Sequence, residues 1–128
     1  MEINLVGGWI AILAGLVTGV ALGLFFHKEE WLGGYASWPR RMLRLGHISF
    51  FGTGLLNVLF ALSLGALKIE PYPIGSLAML ASTVAMPSVC AASAFWKPAR
   101  HLFFVPVLCL LVGTSDIVYQ ILHLGVVR

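Results

Sequence analysis

The sequence predicts an all-α membrane protein: four transmembrane helices in a small antiparallel bundle, with both termini on the non-cytoplasmic side. Three observations carry that expectation. The chain is 59% hydrophobic and only 10% charged, with a mean hydropathy of +0.95, whereas soluble domains carry about 25% charged residues. Four apolar stretches lie at about 5–26, 43–67, 74–96 and 101–127. Each is near or above the ~20 residues needed to cross about 30 Å of hydrocarbon at 1.5 Å per residue. Lys and Arg, finally, are unevenly shared between the loops. Lys28, Arg40, Arg41, Arg44, Lys97 and Arg100 flank the first and third connections, while Lys68 and Arg128 lie on the other side. The positive-inside tendency therefore places loops 27–42 and 97–100 in the cytoplasm, as in a bacterial inner membrane.

A chain of 128 residues holds one domain at most. Its net charge of +3 does not point to nucleic acid, because the basic residues sit between apolar runs, where they report topology and attraction to anionic lipid. Cys90 and Cys109 both fall inside apolar runs, so no disulfide is expected. The start, MEINLVGGWI, lacks the basic n-region of a secretory signal, and the first span is read as retained.

The first span carries Gly7, Ala11, Gly15, Gly19 and Gly23, a small residue at every fourth position. Such a stripe lets a second helix approach closely, whether from this chain or from another subunit. The first loop holds Trp31, Tyr35 and Trp38, rings that favour the headgroup layer. The second loop, KIEPYP, is stopped by Pro71 and Pro73, and the third, KPAR, makes the last two spans a hairpin. In the third span Ser76, Thr83 and Cys90 share a face, and Pro87 predicts a kink. Pro106 predicts another in the fourth span.

The stretch RRMLRLGHISFFGTGLLN poses the main functional question. His47 follows Arg44 by three residues and His101 follows Lys97 by four, so each lies about 5 Å below the inner surface. If their helices adjoin, the two imidazoles face one another as axial ligands of a b-type haem, with the iron held by His47 and His101. Phe51 would wall the macrocycle and Gly54 would give it room. Arg44 and Arg100 would meet its propionates. The bland alternative is that the arginines serve topology and the histidines hydrogen-bond across helices. A metal site drawing on His27, His47 and His101, with Glu30 or Cys90, lacks a compact ligand spacing.

The fourth span contains GTSDIVYQILH. Asp116 lies about 20 Å from the inner edge, and intramembrane carboxylates are functional candidates. Asn57 is the partner expected from depth, with Thr114, Ser115 and Tyr119 as local ones. His123, further along the same face, would complete a proton relay or serve a quinone.

These features support a small membrane subunit or accessory protein of a larger, respiratory or redox complex, at most an electron-transfer component. Its expected partners are the lipid bilayer, other membrane subunits or further copies of itself, and a quinone. The alternatives are a small transporter or proton-relay protein using Asp116, and a purely structural assembly factor. A Gly-rich phosphate loop, a nucleophile elbow and a long aqueous loop are all missing from the sequence, which argues against an enzyme for soluble substrates.

Overall fold

The computed structural model describes residues 2–123 and is all-helical apart from its short connections. Four helices are long and apolar enough to cross a membrane, and the chain is that of an integral membrane protein. They are α1 (Glu2–Phe26), α2 (Trp38–Leu67), α3 (Pro73–Phe95) and α4 (Phe104–His123), with short 3₁₀ turns at Trp31–Gly33 and Lys97–Phe103.

The boundaries follow local chemistry. α2 starts five residues before the hydrophobic run because Ser37, in extended conformation, accepts a hydrogen bond from the Arg40 N–H. Pro39 occupies the first turn, where its missing N–H costs nothing. α2 ends on Lys68, whose left-handed backbone (φ 54°) lets its N–H reach Gly65 and lets the Ile69 N–H bond to Leu64. α3 opens on Pro73 for the same reason as α2 tolerates Pro39, and it continues through Pro87. The fourth element departs most from expectation. Residues 97–103 form a 3₁₀ turn that contains Arg100 and His101, and α4 proper begins at Phe104. Pro106 is therefore its third residue and breaks no helical hydrogen bond, so the kink expected there has no cause. The stretch expected to reach residue 127 is described only to His123, and the rest of it lies outside the described residues.

The helices pack in sequence order, α1 on α2, α2 on α3 and α3 on α4. α1 reaches α3 lightly, and α2 barely meets α4. The central pair buries 39% and 44% of its most apolar windows, against 11% for each of the outer helices, so α1 and α4 form the two sides of an open bundle. Facing residues run in opposite senses along each neighbouring pair. Gly8 of α1 meets Gly54 and Val58 of α2, and Gly19 meets His47. Phe60, Leu64 and Met79 form the apolar core, with Ile69, Leu110 and Ile117 packed around it.

Candidate functional site

Polar side chains are scarce in this molecule, and the described residues place most of the buried ones at four points. The first is a clasp across three helices. Asn4, Asn57 and Ser76 are buried, from α1, α2 and α3. The Asn4 amide donates to Asn57 Oδ1 and to the Ser76 carbonyl, both at 2.9 Å. Asn57 donates in turn to the Met79 carbonyl at 2.8 Å and the Thr53 carbonyl at 3.1 Å, and the Ser76 hydroxyl donates to Asn4 Oδ1. Each amide is satisfied, so the cluster acts as interhelical glue. Asn57 thus spends its bonds on α1, on α3 and on its own helix, and it makes none to Asp116. Asn4 escapes a hydropathy reading because it stands at the edge of the first apolar run.

The second point is the arginine cluster. Arg40 is 2% exposed. Its Nη2 donates to the Lys28 carbonyl, and its guanidinium lies 5.4 Å from the ring centres of both Phe26 and Trp31. Arg44 donates to the Tyr35 carbonyl at 3.0 Å and stacks on that residue's ring at 4.2 Å. The arginines fasten the chain's own first loop. Trp38 extends the fastening to α3, donating through Nε1 to the Ser93 carbonyl at 2.7 Å.

The third point is Asp116, in the seam between α3 and α4. Its carboxyl lies directly over Gly75, where a Cβ would overlap it. Gln120, fully buried one turn on, donates through Nε2 to Asp116 Oδ1 at 3.1 Å. Asp116 Oδ2 and Gln120 Oε1 are buried without hydrogen-bond partners among the described residues. Gly113, one turn earlier, packs against Met79, whose sulfur would lie 2.6 Å from an added Cβ. Two glycines facing side chains of the opposite helix thus set the close approach of α3 and α4. His123 does not join Asp116. It is exposed, stacked on Tyr119 at 4.2 Å, with Nδ1 3.0 Å from the Tyr119 carbonyl. No hydrogen bond among the described residues links the two ends of the expected relay.

His47 supplies the fourth point. It faces α1, not α4: Nδ1 lies 3.3 Å from Thr18 Oγ1, and the ring covers Gly19, whose added Cβ would lie 2.6 Å from Cε1. Phe51 packs edge-on to it at 5.3 Å and against Gly15. Thr18, Leu22, Gly46, His47, Phe50 and Pro87 border a cleft of about 170 Å³ between α1, α2 and α3.

The residues present do not fit a haem held within one chain. His101 is exposed on the 3₁₀ turn between α3 and α4, and α3 separates α4 from α2. Gly54 leaves no room for a ring, because its bare Cα is filled by Gly8 and an added Cβ would lie 2.8 Å from the Gly8 carbonyl oxygen. Arg44 is committed to Tyr35, and Arg100 is exposed on the 3₁₀ turn that precedes α4. A cleft of 170 Å³ compares with the ~150 Å³ that holds one benzene, far short of a porphyrin. The broader metal site also fails, since no three His, Cys, Asp or Glu side chains among the described residues could hold an ion together.

The small-residue stripe finds its partner within the chain. Ala11 and Gly15 are buried, and Gly15 and Gly19 face α2. Gly7 faces Leu80 of α3, while nothing lies within 4 Å of a Cβ at Gly23. Gly8, outside the four-residue register, meets the backbone of α2, where an added Cβ would lie 2.7 Å from the Gly54 carbonyl oxygen. Searches against protein-family models, curated proteins and solved structures found no match to this chain.

Proposed function

We propose that this protein is a small accessory subunit of a larger membrane complex, inserted in a bacterial inner membrane with residues 27–42 and 97–100 on the cytoplasmic side. The orientation rests on the six basic residues in or next to those segments against two elsewhere. The observation that carries the functional reading is how the polar groups are used. Asn4, Asn57, Ser76, Arg40, Arg44 and Trp38 are tied to neighbouring helices or to the first loop of the same chain. Most of what α1 and α4 turn outward is apolar, Trp9, Leu13, Leu16 and Val20 on α1 and Leu108, Leu111 and Val118 on α4, with Thr114, Ser115, Tyr119 and His123 exposed among them on α4. A bundle with two long, largely apolar sides and short connections suits a subunit that packs against larger partners.

The test is native electrophoresis of the chain, tagged at its chromosomal locus and extracted from its own membranes in mild detergent. Migration in one discrete assembly, many times heavier than the 13.9 kDa chain and containing other subunits, is the expected result. Migration as a monomer or pure homo-oligomer would sink the accessory reading.

A further inference from the structure

We infer that the groove between α1 and α3 holds one acyl chain of an anionic phospholipid, with the phosphate of that lipid at the Arg40 end of the bundle. The inference concerns this chain alone and holds with or without the accessory role.

The first argument is shape. The cleft of about 170 Å³ beside Thr18, Gly46 and Pro87 is followed by a second, of about 290 Å³, beside Gly7, Ala14 and Val84, and Phe50 of α2 borders both. From α1 the lining residues are Gly7, Ala11, Ala14, Thr18 and Ala21; from α3 they include Leu80, Val84, Pro87 and Ala91. Steps of three and four residues keep each set on one face of its helix, so the two clefts follow a single seam. From Gly7 to Ala21 it runs about 21 Å at 1.5 Å per residue. Ala21, Val84 and Ala91 are exposed, which leaves the groove open to the surrounding lipid along its side. A cavity of ~150 Å³ holds one six-carbon ring, so the two clefts have room for roughly eighteen carbons in a line. A compact ring would fill one cleft and leave the other empty. A helix, about 10–12 Å across with its side chains, takes up on the order of 2,000 Å³ over the same length. A single flexible hydrocarbon chain fits.

The second argument is the chemistry of the walls and of the groove's end. The polar side chains that line it are met within the chain. Thr18 Oγ1 lies 2.8 Å from the Ala14 carbonyl and 3.3 Å from His47 Nδ1, and the Thr83 hydroxyl donates to the Leu80 carbonyl at 2.6 Å. No Lys, Arg, Asp or Glu borders either cleft, so an ionic group inside would be desolvated without compensation. Charge lies just beyond. Leu22 and Leu43 line the groove's end, and one turn further Phe26 meets the Arg40 guanidinium at 5.4 Å. Arg40 and Arg44 spend their bonds on carbonyls rather than carboxylates, and Arg40 Nε is buried without a partner among the described residues. Lys28 and Arg41 are exposed at the same end. Clustered basic residues at a membrane surface attract anionic headgroups. The opposite end of the groove is closed by Gly7 against Leu80.

The experiment uses the full chain, delipidated in detergent and read by native mass spectrometry. Dioleoyl phosphatidylglycerol, dioleoyl phosphatidylcholine and glycerol 3-phosphate are titrated in turn. One phosphatidylglycerol should bind saturably, at least tenfold more tightly than phosphatidylcholine. Glycerol 3-phosphate, a headgroup without chains, should neither bind nor displace it. Ala21→Phe with Ala91→Phe, which fills the groove from exposed lining positions, should weaken binding at least tenfold. Leu13→Phe, on the exposed side of α1, should leave it unchanged. On the parent chain, where no variant can misfold, a phosphatidylglycerol carrying a mid-chain diazirine should crosslink to residues 14–21 and 80–91. Excess unlabelled lipid should remove those adducts. Equal binding of the two phospholipids, undiminished binding to the double variant, adducts confined to outward residues such as Leu13 and Leu16, or a lipid-free chain dimerised over the groove would each overturn the inference.

Discussion

Asn57 shows what one residue can hold together. Its side chain touches three helices through the bonds to Asn4, Thr53 and Met79. Interhelical hydrogen bonds in membranes average about 0.6 kcal/mol and reach about 1.7, and Asn57→Ala would also leave the Asn4 amide short of an acceptor. We expect that variant to lose about 1–2 kcal/mol of stability, read as a lower unfolding midpoint in detergent. Asn57→Asp keeps an acceptor for Asn4 but loses the donor to the Met79 and Thr53 carbonyls, so it should be tolerated no better than alanine. Asp116 gives a second residue-scale expectation. A methyl at Gly75 overlaps its carboxyl, so Gly75→Ala should cost about 1–3 kcal/mol through overpacking. Adding Asp116→Ala should return part of that loss, and additive costs in the double variant would show that the two sites do not touch. The carboxylate itself was legible in the sequence, because any Asp in an apolar run is conspicuous. Its surroundings were not. Depth along an axis pairs Asp116 with Asn57, but depth says nothing about which helix lies between. The true opposite residue, Gly75, has no side chain with which to signal.

Helix α1 carries the clearest element-scale signal and also its ambiguity. A four-residue stripe of small residues runs along α1, yet its members divide between two neighbours and Gly23 meets neither. Gly7 turns to Leu80 of α3, while Gly8, about 100° around the helix, meets the backbone of α2 at Gly54. A single register cannot describe both seams. Position along the element should therefore decide the outcome of substitution. At Gly8 an added Cβ lies 2.7 Å from the Gly54 carbonyl oxygen, which no side-chain rotation can relieve, while Gly23 has open space. Gly8→Ala should destabilise the α1–α2 pair by about 1–3 kcal/mol, and Gly23→Ala should be neutral or slightly stabilising through helix propensity. Equal midpoints in thermal unfolding would contradict the packing. The start of α2 offers another test. Arg40 joins a planar guanidinium to a carbonyl and two rings, a combination that lysine cannot reproduce. Arg40→Lys keeps the topological charge but should free loop 27–37, so trypsin should cleave after Lys28 several-fold faster than in the parent chain. Unchanged cleavage would reduce Arg40 to a topology marker.

At the scale of the whole molecule, hydropathy made the number of spans legible, because backbone satisfaction in lipid permits little besides helices. The arrangement of those helices was not, and the histidines show why. His47 and His101 share a depth, and a closed square bundle could have set their helices side by side. The open order α1–α2–α3–α4 puts α3 between them, and the 3₁₀ turn at Lys97–Phe103 holds His101 outside the packed interior. What an open bundle adds is two unequal ends. One end carries the Arg40 and Arg44 fastenings and most of the basic residues. The other carries the Asn4–Asn57–Ser76 clasp and the short turn at residues 68–72. In the proposed orientation each charged Lys or Arg near the anionic cytoplasmic surface gains about 1 kcal/mol, so with six basic residues on one side against two on the other inverted insertion should be markedly less stable. Cys90 and Cys109 lie within the spans, so a membrane-impermeant maleimide reads only thiols introduced in water. In intact spheroplasts, Glu70→Cys should label at once and Ala36→Cys only after the membrane is opened; both positions are exposed. The reverse pattern would invert the protein. Equal labelling of both would mean dual insertion, in which the basic end exerts no net preference.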